Sequence, residues 1–129
     1  MRDANQLLTD SAVAADAFAA NAIEVDKTPV DGLWLQLVIT RNGADADETL
    51  DITIYGKDTD AAWATTDDPV AITDQVANAD VASGATIVKY VRVSTKHKYI
   101  KPYYNVGGTT PSYTIVCAVV TGVARETGA

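Results

Sequence analysis

Two runs of strict period-two alternation constrain this chain more than any other feature. In residues 33–40, Leu33, Leu35, Leu37 and Ile39 share one side of an extended backbone, and Trp34, Gln36, Val38 and Thr40 share the other. In residues 49–56, Leu50, Ile52 and Ile54 alternate with Asp51, Thr53 and Tyr55. Successive side chains of a strand point to opposite faces, so each run reads as a strand with one buried face. The second face of the first run is less polar than contact with water requires. Turn residues punctuate the chain at short intervals: 27–32 with Pro29 and Gly32, the acidic loop 41–48 with Asn42-Gly43, 74–85 with Ser83 and Gly84, and VGGTTP at 106–111. Asn42-Gly43 predicts a hairpin tip or a slightly longer loop between the two runs.

Shorter strands are expected at 22–26 and 69–73, and β-rich runs at 87–93 and 97–105 joined through 94–96. The stretch 57–67 reads as a polar surface connection around Trp63. The stretch 113–121, with Ile115, Val116, Val119 and Val120, is apolar and β-branched enough to predict a central strand covered on both faces. Many short strands and no convincing amphipathic helix predict an all-β protein, an antiparallel β-sandwich spanning 22–121. An N-terminal arm (1–21) and a flexible tail (122–129) flank it. Within the arm, the alanine-rich segment 11–21 is a helix by propensity, capped by Asp10 or Ser11. Its apolar face is almost all methyl groups and anchors weakly, so helix and extended arm both stay open on the residues alone.

A chain of 129 residues is one domain, and with one Phe and two Trp its core is built from Ala, Val, Ile and Leu. Cys117 is the single cysteine, which excludes an internal disulfide and reads as a small buried hydrophobe. No apolar run approaches the ~20 residues of a membrane span, and no signal-peptide pattern opens the sequence. A net charge of −7 argues against nucleic acid and anionic membranes as partners. That charge is unevenly spread: residues 1–80 hold four basic and sixteen acidic side chains, residues 81–129 six basic and one acidic. Such a split predicts one acidic and one basic surface, able to dock copies of the chain or orient it on a partner.

Catalytic chemistry has few candidates. The acidic run from Asp45 places Leu50 where a calcium loop needs its sixth-position glycine, so it reads as a solvated loop. Asp58-Thr59-Asp60 and Asp67-Asp68 read likewise. His97 lies between Lys96 and Lys98, which predicts a lowered pKa, and no nucleophile elbow, metal-ligand cluster or phosphate loop accompanies it. The expectation is a non-enzyme without cofactor or metal. The strongest local signal is basic and tyrosine-rich: Lys89, Arg92, Lys96, Lys98, Tyr99, Lys101, Tyr103 and Tyr104. A protein-binding face is the favoured reading, since Tyr and Arg supply contact area and lysines select an acidic partner. A solvated strand face with Pro102 marking an edge or bulge comes second. Single-stranded nucleic acid comes third.

Three stretches carry a family resemblance. They are Leu7-Leu8-Thr9-Asp10-Ser11-Ala12-Val13 with the small residues after it, Asn21-Ala22-Ile23-Glu24-Val25-Asp26, and Tyr99-Ile100-Lys101-Pro102-Tyr103-Tyr104-Asn105-Val106-Gly107-Gly108 with the closing apolar strand. In this order they resemble the capsid cement, or decoration, proteins of tailed phages, typified by that of a Bordetella podovirus. Lys27-Thr28 stands where that family tends to have glycine, and Lys101-Pro102 replaces its basic-apolar pair. The resemblance implies a jelly-roll-like sandwich, with 11–21 extended rather than helical. It also implies a virion structural protein, a homotrimer on the outer capsid surface that bridges subunits of the major capsid protein. Two rivals remain. One is a ligand- or carbohydrate-binding module of a phage fibre or tail, with Trp63 or Trp34 as its aromatic platform. The other is a small hydrolase or metal-dependent enzyme that brings carboxylates to His97.

Overall fold

A computed structural model describes residues 7–25, 32–44, 46–73, 75–77 and 80–120. The expected turn at 27–31 and tail at 122–129 lie outside the described residues. Among the described residues there are ten strands: β1 (Leu7–Val13), β2 (Ala17–Phe18), β3 (Ile23–Glu24), β4 (Leu33–Arg41), β5 (Thr49–Lys57), β6 (Asp68–Ile72), β7 (Val76–Ala77), β8 (Thr86–Val93), β9 (Tyr99–Gly107) and β10 (Tyr113–Val120). They form two antiparallel sheets packed face to face. One has the order β1-β10-β4-β8; the other runs β2-β9-β5-β6, with β3 also on β9 and β7 also on β5. Taking β2/β3 and β6/β7 as two interrupted strands leaves eight. They pair first with eighth, second with seventh, third with sixth and fourth with fifth.

The alternating runs do what their period demands. Leu35, Leu37 and Ile39 of β4 and Leu50, Ile52 and Ile54 of β5 point between the sheets and are fully buried. Ile100 of β9 and Tyr113, Ile115 and Cys117 of β10 complete the layer. Each buried Leu or Ile contributes on the order of 1.5–3 kcal/mol. A one-residue slip in any strand would turn its whole set to water, which is why the register is so well specified.

Four expectations need correction. The loop after β4 is no hairpin tip, because β4 and β5 lie in different sheets. It arches over one end of the sandwich, held by a buried ion pair from Arg41 Nε to Glu48 Oε1 at 2.7 Å. A Cβ at Gly43 would overlap the Glu48 carboxylate, so the glycine serves close approach and not a two-residue turn. Second, the expected arm belongs to the sandwich from Leu7 onward: β1 pairs with β10, and β2 and β3 pair with β9. It is extended, with a bulge between Asp10 and Val13 at Ala12, whose φ is 55°. Leu8 and Val13 are buried there. A methyl-rich face too thin to anchor a helix thus delivers two larger side chains to the core as a strand.

Third, Pro102 marks no sheet edge. It lies inside β9, opposite the break between β2 and β3. The proline has no N–H to donate, and the facing strand is interrupted where that donor is missing. Its carbonyl still accepts from Ala19 N at 2.9 Å. Fourth, β10 is interior in its sheet but covered on one face only. Val116, Ala118 and Val120 point away from the core and stay half-buried.

Asp10 ties the first strand to the second sheet. Its carboxylate accepts from Tyr104 Oη at 2.8 Å and from Ala20 N at 2.9 Å. Burial, with Asp10 beside it, pushes the Tyr104 hydroxyl far above the ordinary tyrosine pKa, so it remains a donor. Asp10→Ala is expected to lower stability by about 1–3 kcal/mol, because the Tyr104 hydroxyl is left unpaired. In urea unfolding, Tyr104→Phe should cost less in the Asp10→Ala background than alone; equal costs would show that the pair is not coupled.

Candidate functional site

The outer face of the four-stranded sheet is built from cross-strand rows set by its register. Trp34 lies between Val120 and Arg92, Gln36 between Ala118 and Tyr90, Val38 between Val116 and Val88, and Thr40 between Thr114 and Thr86. Thr9 of β1 adjoins Val116. Arg92 is the one charged residue in these rows, and no carboxylate is among them. The polar groups satisfy one another: Gln36 Nε2 donates to Tyr90 Oη at 3.1 Å, and the Thr40 and Thr86 hydroxyls share a hydrogen at 2.8 Å. Asn42 Nδ2 donates to Thr114 Oγ1 at 2.9 Å at the end of the face. On a chain of net charge −7, a sheet face with Arg92 as its one charge and valine, alanine and tryptophan at its centre is depleted in charge. Depletion of charge with Trp, Tyr and Arg present is the composition of an interface centre.

The basic and tyrosine residues singled out above do not form one surface. Arg92 belongs to the charge-depleted face just described. Lys89 shares its parity with Val91 and Val93, so it points to the inner side at the open edge of the sandwich. Lys96 is exposed in the connection to β9. Tyr99, Lys101 and Tyr103 lie on the outer face of the other sheet, and Lys98 just before them sits 3.7 Å from Glu24 Oε2. Tyr104 is a core residue, 1% exposed, and is unavailable to any partner. Alternation within β9 and the separation of β8 and β9 into different sheets account for the dispersal.

An aromatic cluster covers part of the six-stranded sheet's outer face. Phe18 meets Tyr103 at 4.8 Å, Tyr55 at 5.7 Å and Trp63 at 6.3 Å between ring centroids. Lys101 Nζ stands 5.9 Å from both the Phe18 and the Trp63 rings. The Trp63 indole donates to Asp60 Oδ1 at 2.9 Å, and Lys57 Nζ donates to the Ala62 carbonyl at 2.7 Å. Burial raises the Tyr103 hydroxyl pKa, with Asp16 adding to it. The cluster fastens the connection 58–67 and the short β2 to the sheet. Alternation turns Tyr55 outward within β5 and Tyr103 outward within β9, but nothing local in the sequence links them to Phe18; strand pairing brings the three together.

His97 corrects a sign. Its Nε2 lies 2.9 Å from Asp68 Oδ2 and its Nδ1 3.1 Å from Asp58 Oδ1. These carboxylates, Asp68 foremost, raise its pKa above the ordinary value, overriding the neighbouring lysines. Gly56 makes room, since a Cβ there would come within 2.8 Å of His97 Cδ2. The two carboxylates occupy opposite ring nitrogens and so cannot converge with the ring on one metal ion. No group of three His, Cys, Asp or Glu suited to a metal exists among the described residues. Cys117 is buried, and burial pushes its thiol pKa up to about 12.

Many of the acids fasten loops. Asp47 accepts from Thr109 Oγ1 at 2.7 Å and Thr109 N at 3.2 Å, which lowers its carboxyl pKa. Asp67 accepts from Ala64 N, Asp80 from Ala77 N and Asp16 from Val106 N. The acid-rich and base-rich halves therefore meet within the molecule, as in Lys98–Glu24 and His97–Asp58, and do not separate into two faces. Compared with known proteins, the sequence matches no family model and no curated protein.

A raised His97 pKa means that the folded state holds the proton more tightly than the unfolded state. The stabilisation is fully present below the ordinary histidine value of about 6.5 and is lost as pH rises through the folded pKa. The urea midpoint should therefore fall between about pH 6 and pH 8. His97→Gln should flatten this dependence, and an NMR titration of the ring should give a midpoint above the ordinary value. A wild-type midpoint flat across that window would show that the clamp is not formed.

Proposed function

We propose that this chain is a non-enzymatic virion structural protein, a capsid cement protein that joins as a homotrimer and stabilises major capsid subunits from the outer surface of the shell. The observation that carries an assembly role is the charge-depleted outer face of the four-stranded sheet. An antiparallel sheet with one face on the core commonly leaves the other polar. Here the outward rows of β4, β10 and β8 hold half-buried Trp34, Val38, Val116, Ala118 and Val120 and exposed Val88 and Tyr90. The cement role comes from the resemblance in 7–26 and 99–108. The nested pairing of eight strands, first with eighth inward to fourth with fifth, supports reading the sandwich as a jelly roll.

The charge-depleted face is the contact between copies, and the charged surfaces are left to dock on the capsid. A trimer touching several shell subunits converts modest contacts into slowly released binding. His97 engaged by two carboxylates and a buried Cys117 with a raised pKa support a non-catalytic role. Trp63, held by Asp60 and packed on Phe18, fits a structural role better than a sugar platform.

Light scattering after size exclusion should give three times the 13.6 kDa of the chain. That mass should be equal at about 0.05 M and about 1 M salt, because the contact is apolar and screening leaves it unchanged. Val38→Lys should shift the mass to that of one chain while far-UV circular dichroism stays that of the sandwich. A wild-type protein that is monomeric at both salts, or a Val38→Lys variant that stays trimeric, would remove the face from the subunit contact. Co-sedimentation with emptied capsid shells tests the partner.

A further inference from the structure

At one side of the sandwich both sheets end. β8 is the last strand of the four-stranded sheet, β6 the last of the other, and the two lie next to each other. A groove of about 460 Å³ runs between them, lined by Ala71, Ile72, Thr73, Lys89, Tyr90, Val91 and Arg92. The large apolar side chains most exposed among the described residues all stand on these two strands: Ile72 at 70%, Val88 at 48% and Tyr90 at 46%. Among the described residues, the lining holds two cations and no carboxylate. An open edge presents alternating backbone donors and acceptors to any extended chain, and an inward-facing lysine is a common guard against indiscriminate pairing. Lys89 has that position. A guard of one sign rejects apolar and basic strands but welcomes an acidic one.

We propose that this groove binds an extended segment of another protein that alternates apolar and acidic side chains, added as a strand along β8. Backbone hydrogen bonds to β8 would supply affinity. An apolar side chain between Ile72 and Tyr90, with a carboxylate at Lys89, would supply selection. A second copy is the weaker occupant. Among the described residues, the chain's own alternating apolar and acidic runs are already built in: Ile23 and Val25 of Ile23-Glu24-Val25 are buried where β3 pairs with β9, and Leu50-Asp51-Ile52 belongs to the interior strand β5. Asp47, Asp60, Asp67 and Asp80 are held in their own loops by hydrogen bonds. The inference deepens the assembly reading by naming the chemistry of the partner segment. Tyr90 and Arg92 border both the groove and the outer face of the four-stranded sheet, whereas Ile72 and Lys89 lie outside that face, so substitutions at these two probe the groove without touching the trimer contact.

The test uses the full chain and three fluorescein-labelled nonapeptides: valine alternating with aspartate, valine alternating with lysine, and serine throughout. Fluorescence anisotropy should saturate with the aspartate peptide, at least about tenfold more tightly than with the lysine peptide, and weaken with salt. Ile72→Ser should weaken binding by about tenfold. Lys89→Glu should reverse the preference between the two charged peptides. Hydrogen exchange of the β8 amides should slow in the complex. Equal binding of the charged peptides, no binding of either, or indifference to both substitutions would overturn the proposal. So would a concentration-dependent rise in mass that Lys89→Glu abolishes and the aspartate peptide competes away, because the occupant would then be a second copy. If the peptides fail while Val38→Lys still breaks the trimer, this inference falls and the assembly reading stands.

Discussion

Everything in this molecule depends on one layer: the alternating leucine and isoleucine side chains of β4, β5, β9 and β10 that are buried between two antiparallel sheets. A strand cannot turn one set of side chains inward without turning the intervening set outward. Burying Leu35, Leu37 and Ile39 therefore obliges Trp34, Gln36, Val38 and Thr40 to face out. Burying Ile115 and Cys117 obliges Val116 and Ala118 to do the same. The outer face is the geometric complement of the core. It mixes valine, alanine and tryptophan with polar side chains that bond to one another, and Arg92 is the one charge in its rows.

Nested pairing has a second consequence, for charge. Most strand pairs join the acid-rich half to the base-rich half: β1 with β10, β2 and β3 with β9, β4 with β8 and β10, and β5 with β9, while β5 with β6 and β7 stays within the acid-rich half. An asymmetry along the sequence is interleaved in space, so it becomes local ion pairs and loop fasteners instead of opposed faces. His97 shows this most plainly. Its sequence neighbours are lysines, yet Asp58 and Asp68 decide its pKa. The hydrogen bonds its ring makes to Asp68, foremost, and Asp58 favour the protonated form, and through-space partners of this kind cannot be read from sequence neighbours.

Buried polar groups reinforce the ends of the sandwich. Arg41 and Glu48 are both withdrawn from water, and Arg41 Nη1 also donates to the Val81 carbonyl at 3.2 Å. Removing one partner from a buried pair of this kind costs roughly 3–5 kcal/mol, more than the pair's net contribution, because the survivor is left charged in a dry site. The pair therefore specifies geometry: it joins the arch after β4 to the segment before β8, which helps position the edge that lines the groove. Asp10 and Tyr104 do the same between the first strand and the second sheet.

By itself the sequence determined the all-β class, the two main strands with their inward residues, and an apolar strand near the C-terminus, because a period of two and local turn chemistry are carried by neighbouring residues. Its reading of β10 as covered on both faces failed, because an apolar, β-branched run does not reveal which of its faces another layer will cover. Only the tertiary structure decided that 41–48 is an arch between sheets and that Pro102 faces a break in β2/β3. Only it dispersed the basic and tyrosine residues over a core, an edge and two faces. The same holds for the aromatic cluster of Phe18, Tyr55, Trp63 and Tyr103, and for the groove between β6 and β8. Each is a meeting of residues tens of positions apart, set by which strands pair, and pairing is chosen by the energy of the whole folded layer and not by any single segment.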